Sequence, residues 1–369
     1  MSTNSTHSTH STHSTHSTHG VDNATPSLYD YSGYTGDLVL ARALETMRDD
    51  INAGTGTTRT SKTWPGADGL PELEDVSTLS MSAPNVRGHV CEFELLSRCW
   101  FRCPTQDGGD FASLDIATDA GPTRPLQMKT LLSLRRPTKA VFEEQLKAVI
   151  TEASKRAERP DEVVIQALPH LAFFSAIANL QPTRHRATLE LLDIALQFTM
   201  LVVMRFKYAL ACPRPVEYSP GVQPMLLTPA HTSLPMGHAA EAYTTAIVLQ
   251  ALMGETPTSD VGVQLARLAH RVGENRVIAG VHFPIDLIAG RLVGEAMAQC
   301  FLAQCRGGTW SHWEFDGEHS GITGASVSVA GQGLDALPGC RTVGAPVVQA
   351  QASSPVLAEM WARAKKEWD

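Results

Sequence analysis

Apolar positions recur at helical spacing through the middle of the chain, and prolines and glycines close the runs. Leu38, Leu40, Ala43, Leu44 and Met47 predict a first helix over 38–51. The stretch 52–69 is rich in Gly and Thr and reads as loop. A short element is expected over Glu92–Phe101, and Pro and Gly punctuate 104–125. From residue 138 the helical period is sustained. Phe142, Leu146, Val149, Ile150 and Ala153 share one face, and Pro160 ends that run. His170 to Leu180 is a shorter apolar helix that closes before Pro182. Arg184 to about Ala211 is apolar on nearly every face, which predicts a helix at the centre of a bundle. Further helices are expected from Gly237 to about Met253, from about Asp260 to Gly273, and from Pro284 to about Gln304. Ser233 or Thr232 suits the N-cap before Gly237, with Pro235 in the first turn. Residues 306–352 are rich in Gly, Ser and Val with little helical period, and Pro355–Trp368 reads as a terminal amphipathic helix capped by Ser354.

The pattern predicts an all-α fold, a multi-helix bundle with an irregular N-terminal arm. Residues 1–24 are expected to be a disordered tail, 25–305 a helical domain with its core in 138–305, and 306–369 an extension packed on the bundle. Apolar residues make up 43% of 369 residues, enough for a sizeable core. The Ser-Thr-His repeat of residues 1–20 has no apolar surface to bury and reads as a solvated tail, with metal binding by its histidines as the alternative.

The net charge of −8 argues against general nucleic-acid binding. Seven scattered cysteines fit reduced thiols in a cytoplasmic protein. His89, Cys91, Cys99 and Cys103 match no standard zinc spacing and read as structural. The longest apolar run, Leu192 to Met204, is interrupted by Asp193, Gln197 and Thr199, and the N-terminus has no apolar core of an ordinary signal peptide. A soluble protein without a membrane span is the expectation.

Candidate chemistry concentrates in residues 207–286. Lys207 and Arg214 flank a helix break at Pro213 and Pro215. Pro235, Met236, Gly237 and His238 open a helix. Arg276 is followed by His282 and then by Asp286, four residues further on. Arginine offers a planar fork of donors and lysine a compact charge, so three cations can converge on one oxyanion. Gly237 at a helix start can bring a backbone N–H close to it. Asp286 can share a helix face with His282 and fix its tautomer, leaving Nε2 free as nucleophile or metal ligand, and His238 is then the acid or base. Singly, each piece reads as ordinary helix-end charge or capping; Asp286 alone could be a first-turn helix charge.

Together these pieces resemble the signature of the type 2 phosphatidic acid phosphatases, bacterial acid phosphatases and vanadium-dependent haloperoxidases: Lys-x6-Arg-Pro, Pro-Ser-Gly-His, and Ser-Arg-x5-His-x3-Asp. The matching positions are Lys207, Arg214, Pro215, Pro235, Gly237, His238, Arg276, His282 and Asp286. Met236 and Asn275 stand where the family carries serine. The first of those serines donates to the bound anion in the family, and methionine has no such donor.

The resemblance implies a helical bundle with an oxyanion at its mouth, held by Lys207, Arg214, the 236–238 turn, Arg276 and His282. In its haloperoxidase branch it implies vanadate as cofactor on His282, with hydrogen peroxide, a halide and a small organic acceptor as partners. His231 lies at the position where bromoperoxidases of the family carry an extra histidine, which favours bromide or iodide oxidation. The phosphatase branch implies a phosphomonoester substrate and a phosphohistidine at His282. A non-catalytic anion binder is the third reading, motivated by Met236. A homo-oligomer is expected.

Overall fold

The computed structural model describes residues 38–53, 70–103, 110–118, 127–167, 170–321 and 332–369. The Ser-Thr-His tract lies outside them, as do most of the Gly- and Thr-rich stretch and much of 104–125. The chain divides into a smaller unit ending at Ala83 and a larger one holding Pro84–Asp369. In the smaller unit, α1 spans Leu38–Asn52, and a 3-10 turn over Val76–Met81 is capped by the Asp75 carboxylate accepting from Ser77 N–H.

The larger unit opens with α2 (Pro84–Leu96) and three strands, β1 (Cys99–Arg102), β2 (Ala112–Thr118) and β3 (Gln127–Arg135). Helices follow: α3 (Lys139–Glu152), α4 (Pro160–Ile165), α5 (Leu171–Ala178), α6 (Arg186–Leu210), α7 (Gly237–Met253), α8 (Asp260–Ile278) and α9 (Pro284–Arg306). Strands β4 (Gly308–Asp316) and β5 (Cys340–Gln349) and helix α10 (Pro355–Lys365) close the chain.

The all-α expectation is therefore wrong. The strands form one five-stranded mixed sheet in the order β1-β2-β3-β4-β5. All pairs are antiparallel except β3 with β4, which run parallel with Leu132 beside Trp313 and Leu134 beside Phe315. The residues explain it. Leu131, Leu132 and Leu134 in β3 and Trp310, Trp313 and Phe315 in β4 are buried, and β4 packs on α9. Branched and aromatic side chains fit a pleated, half-buried surface. The short element expected over 92–101 divides between the end of α2 and β1.

Helix α7 is the centre of the bundle, in contact with α6, α8 and α9. Its small residues let neighbours approach closely. A Cβ at Gly290 of α9 would lie 2.4 Å from the Met236 carbonyl oxygen, and one at Gly294 would lie 2.4 Å from that of Ala240. This crossing brings the starts of α7 and α9 together, and with them His238 and His282. Contrary to the sequence expectation, one stretch, Arg186–Tyr218, is long and apolar enough to cross a membrane by length and composition; 61% of its most apolar window is buried inside the fold.

Candidate oxyanion site

Four helix ends meet at one cavity. Helix α6 closes on Ala211 in a left-handed conformation, and Pro213 and Pro215 hold Arg214 extended before a single helical turn, Pro215–Tyr218. The Glu217 carboxylate accepts from the Arg214 backbone N–H. Helix α8 runs to Ile278, five residues beyond the expected end, so Arg276 lies in its last turn. Gly280, at φ +82°, turns the chain toward His282; a Cβ there would come within 2.7 Å of the Arg156 guanidinium. Arg156 donates to the carbonyls of Ile278 (2.8 Å), Gln223 (2.8 Å) and Val222 (3.2 Å), tying two loops beside the site.

A cavity of about 290 Å³ is lined by Arg214, His231, Gly237, His238, Arg276 and His282. Its apolar wall includes Met200, Leu226, Leu227, Pro229 and Val281. Six of the nine candidate positions thus converge. The other three, Lys207, Met236 and Asp286, are buried beside the cavity without lining it. Lys207 Nζ donates to the carbonyls of Thr232 (3.0 Å) and Ser233 (2.7 Å). Met236 is fully buried in the apolar core, and its N–H donates to the Asp286 carbonyl at 3.0 Å.

Arg214 is spent on the protein. Its Nε donates to the His231 carbonyl (2.9 Å), Nη1 to the Val281 carbonyl (2.6 Å) and His282 Nε2 (2.9 Å), and Nη2 to His231 Nδ1 (3.0 Å). Arg276 differs. Its Nη2 donates to the Val163 carbonyl, while Nε and Nη1 are buried without a partner among the described residues. His238 Nε2 is in the same position. Unsatisfied buried donors are costly, and here they border a cavity whose ligand they can serve.

Asp286 Oδ2 accepts from Ser233 Oγ, from Phe283 N–H at 2.9 Å and from His282 Nδ1 at 3.0 Å. Ser233 or Thr232 was expected to cap α7, and neither does; the Thr232 hydroxyl donates to the Lys207 carbonyl at 2.6 Å. Instead Met236 takes the N-cap position without a side-chain bond, and the Ser233 hydroxyl is used on Asp286. Asn275 is a brace: its amide donates to Glu162 (2.9 Å) and Gln166 (2.7 Å), fastening α8 to the α4 region that receives Arg276. Spacing gives no sign of Ser233 or Arg156, whose partners are distant in sequence.

Burial dominates the electrostatics. It lowers His238 and His282 well below the ordinary imidazole value, helped by Arg276 at His238 and by Arg214 and Lys207 at His282. Burial, Lys207 and Arg214 bring His231 to about 4. All three rings are neutral near pH 7. Arg214 and Arg276 fall to about 10, chiefly by burial, and stay charged. Lys207 is lowered by burial and by Arg214. Burial raises Asp286, against the opposing hydrogen bonds from Ser233 and Phe283.

Residues 191–310 match the PAP2 superfamily model. This segment, about a third of the chain, is what resembles the PAP2 superfamily. The PAP2 segment begins inside α6, ends in β4 and contains all nine candidate residues, while Arg156, Glu162 and Val163 support it from outside. Among curated proteins none matches. Two solved structures resemble the chain distantly. One is a transmembrane PAP2-type phosphatidylglycerolphosphate phosphatase from Bacillus subtilis, 18% identical, covering 44% of this chain and 84% of that one, with a TM-score of 0.35. The other is a bacterial vanadium-dependent iodoperoxidase, 15% identical, covering 54% of this chain and 60% of that one, with a TM-score of 0.37. Likeness at that level says nothing further about this chain.

Proposed function

We propose that the PAP2 segment is an oxyanion-handling enzyme that uses vanadate to oxidise bromide or iodide with hydrogen peroxide. The observation that carries this reading is His231, which lines the same cavity as His238, His282, Arg214 and Arg276. An extra imidazole in that cavity supports the bromide or iodide reading.

The donor set fits vanadate. Arg276 has two buried donors without a partner among the described residues, and neutral His282 has its Nδ1 committed to Asp286. His282 would hold the metal through Nε2, with Arg276, Arg214 and the Gly237 N–H on the oxygens and Lys207 adding charge from behind. Vanadate bound there would supply Lewis acidity that makes a peroxide oxygen electrophilic toward halide. Arg214 Nη1 donates to His282 Nε2 at 2.9 Å, so the guanidinium must turn toward the oxyanion before that nitrogen can bond. His238, neutral near pH 7, can take a proton from peroxide. His231 Nδ1 faces both Arg214 Nη2 at 3.0 Å and the Thr232 carbonyl at 3.2 Å, so the ring can carry its proton on either nitrogen. The apolar wall limits water and suits an organic acceptor.

A phosphatase reading rests on the same His282–Asp286 pair. His282 Nε2 would attack phosphorus, and the ester oxygen would leave with a proton from His238, which the bound phosphate dianion would first have to bring to its imidazolium form; water would then cleave the phosphohistidine. One sample decides. Loaded with orthovanadate, it is assayed for peroxide-dependent bromide and iodide oxidation; vanadate-free, it is assayed on p-nitrophenyl phosphate. Halide turnover lost in His282→Ala and reduced in His231→Ala supports the proposal. Vanadate-inhibited phosphate release without halide turnover moves the protein to the phosphatases. Silence in both assays with tight vanadate binding makes it a binder.

A further inference from the structure

The turn that presents His282 is gripped from outside the PAP2 segment. Helix α3 runs on into a 3-10 turn over Ala153–Ala157, which carries Arg156. The half-buried Arg156 guanidinium donates from Nε to the Ile278 carbonyl, from Nη1 to that of Gln223 and from Nη2 to that of Val222. Ile278 ends α8, where carbonyls have no partner within the helix. Beyond His282, the Gln145 side chain of α3 accepts from Ile285 N–H at 3.0 Å, in the first turn of α9. One arm thus holds the 278–285 turn on both sides of His282.

The loop of Val222 and Gln223 lies directly against that turn. A Cβ at Gly280 would meet Val222 at 3.0 Å and the Pro224 backbone at 3.3 Å, as well as the guanidinium. Met225 N–H donates to the Ala279 carbonyl at 3.0 Å. The same loop continues into Leu226, Leu227, Pro229 and His231, which line the cavity. Arg156 therefore joins the segment carrying His282 to the segment carrying His231. Its three hydrogen bonds all go to backbone carbonyls, a task for a planar fork of donors and not for a compact ammonium.

Arg214 grips the same turn from the cavity side, its Nη1 donating to both the Val281 carbonyl and His282 Nε2. An oxyanion that draws this guanidinium away releases both contacts at once. Arg156 does not line the cavity, so an anion there does not compete for it. We propose that Arg156 is a positioning residue of the oxyanion site: it keeps the 278–282 turn, and with it His282, in place against the His231 loop when Arg214 turns to the anion. The inference rests on the oxyanion reading above. Motif spacing cannot show it, because Arg156 precedes Ile278 by 122 residues.

The test uses the full chain with Arg156→Lys, which keeps the charge but lacks the fork, and Arg156→Ala, assayed with and without millimolar free guanidinium. Orthophosphate and orthovanadate affinities are measured by calorimetry well below the melting temperature of each variant. The His231 and His282 ring nitrogens are followed by NMR in histidine-labelled protein, with His312 of β4 as reference. Both variants are expected to bind about tenfold more weakly, with His231 and His282 displaced and His312 unmoved. Guanidinium should largely restore Arg156→Ala and leave the parent unchanged. Affinity within twofold of the parent in Arg156→Lys would overturn the proposal, since charge alone would then suffice. So would a lowered melting temperature with affinity unchanged, or displacement of His312 along with the others, the mark of general loosening. Should Arg156→Ala not fold, Arg156→Lys decides alone. If the parent binds neither anion, the oxyanion reading fails, and NMR of the anion-free proteins then decides: His231 and His282 displaced together in Arg156→Lys support the clamp, and unmoved signals overturn it.

Discussion

Arg214 Nη1 stands 2.9 Å from His282 Nε2, and His282 Nδ1 stands 3.0 Å from Asp286 Oδ2. Because arginine can only donate, Nε2 accepts, and the imidazole proton lies on Nδ1 facing the carboxylate. One side chain thus fixes which nitrogen of His282 carries a lone pair, and another holds that lone pair until an anion competes for the guanidinium.

Replacing Asp286 tests that arrangement. Asp286→Asn keeps the shape but can turn its amide toward Nδ1, which favours the wrong tautomer. Oxyanion affinity or turnover is expected to fall by about 10–100-fold, the usual effect of losing a carboxylate behind a histidine ligand. Ser233→Ala removes one of three donors on Oδ2 and should cost less, about 1 kcal/mol of stability with a smaller loss of affinity. Calorimetric titration with orthovanadate reads both. An Asp286→Asn protein that binds like the parent would show that the pair is only a helix-start contact.

The site was legible in the sequence because each piece is local. Lys207 and Arg214 straddle a proline break, Gly237 and His238 begin a helix, and Arg276, His282 and Asp286 span a single turn between helices. The sheet was not legible, for a physical reason. Its parallel pair joins Leu132 to Trp313, far apart in sequence, and β2 is buried along nearly its whole length. A strand enclosed on both faces loses the alternation that marks a half-exposed one. Ser233 was misread for a related reason. Caps are recognised by closeness to a helix start, yet its hydroxyl goes to a carboxylate 53 residues further along.

Met236 stands where the family resemblance expects an anion-binding serine, but its side chain is fully buried in the apolar core and does not line the cavity. Met236→Ser exchanges that burial for a hydroxyl. Losing a buried methionine side chain costs about 2–5 kcal/mol, and an N-cap serine at the start of α7 offsets about 1 kcal/mol. A net destabilisation of about 2 kcal/mol is expected in urea titrations. A variant as stable as the parent would mean that the methionine contributes little packing at this helix crossing.

The neutral histidines should make the fold acid-sensitive. A ring whose folded pKa lies below about 6.5 binds its proton first in the unfolded chain. The stability it contributes is fully present above about pH 6.5 and is lost as pH falls toward the folded value, which is about 4 for His231 and for His170 and well below the ordinary value for His238 and His282. Each enclosed ring can contribute a slope of at most about 1.4 kcal/mol per pH unit in that window, and the partly exposed His231 less. Asp286, whose pKa burial raises, acts in the opposite sense and flattens the lower end. Urea unfolding between pH 7 and 5, in buffer free of phosphate, should therefore show stability falling with acid, and His282→Asn should fall less steeply whatever its stability at pH 7. Equal slopes in the two proteins would mean that His282 is already protonated in the fold, and the tautomer drawn from its Arg214 and Asp286 contacts would be wrong.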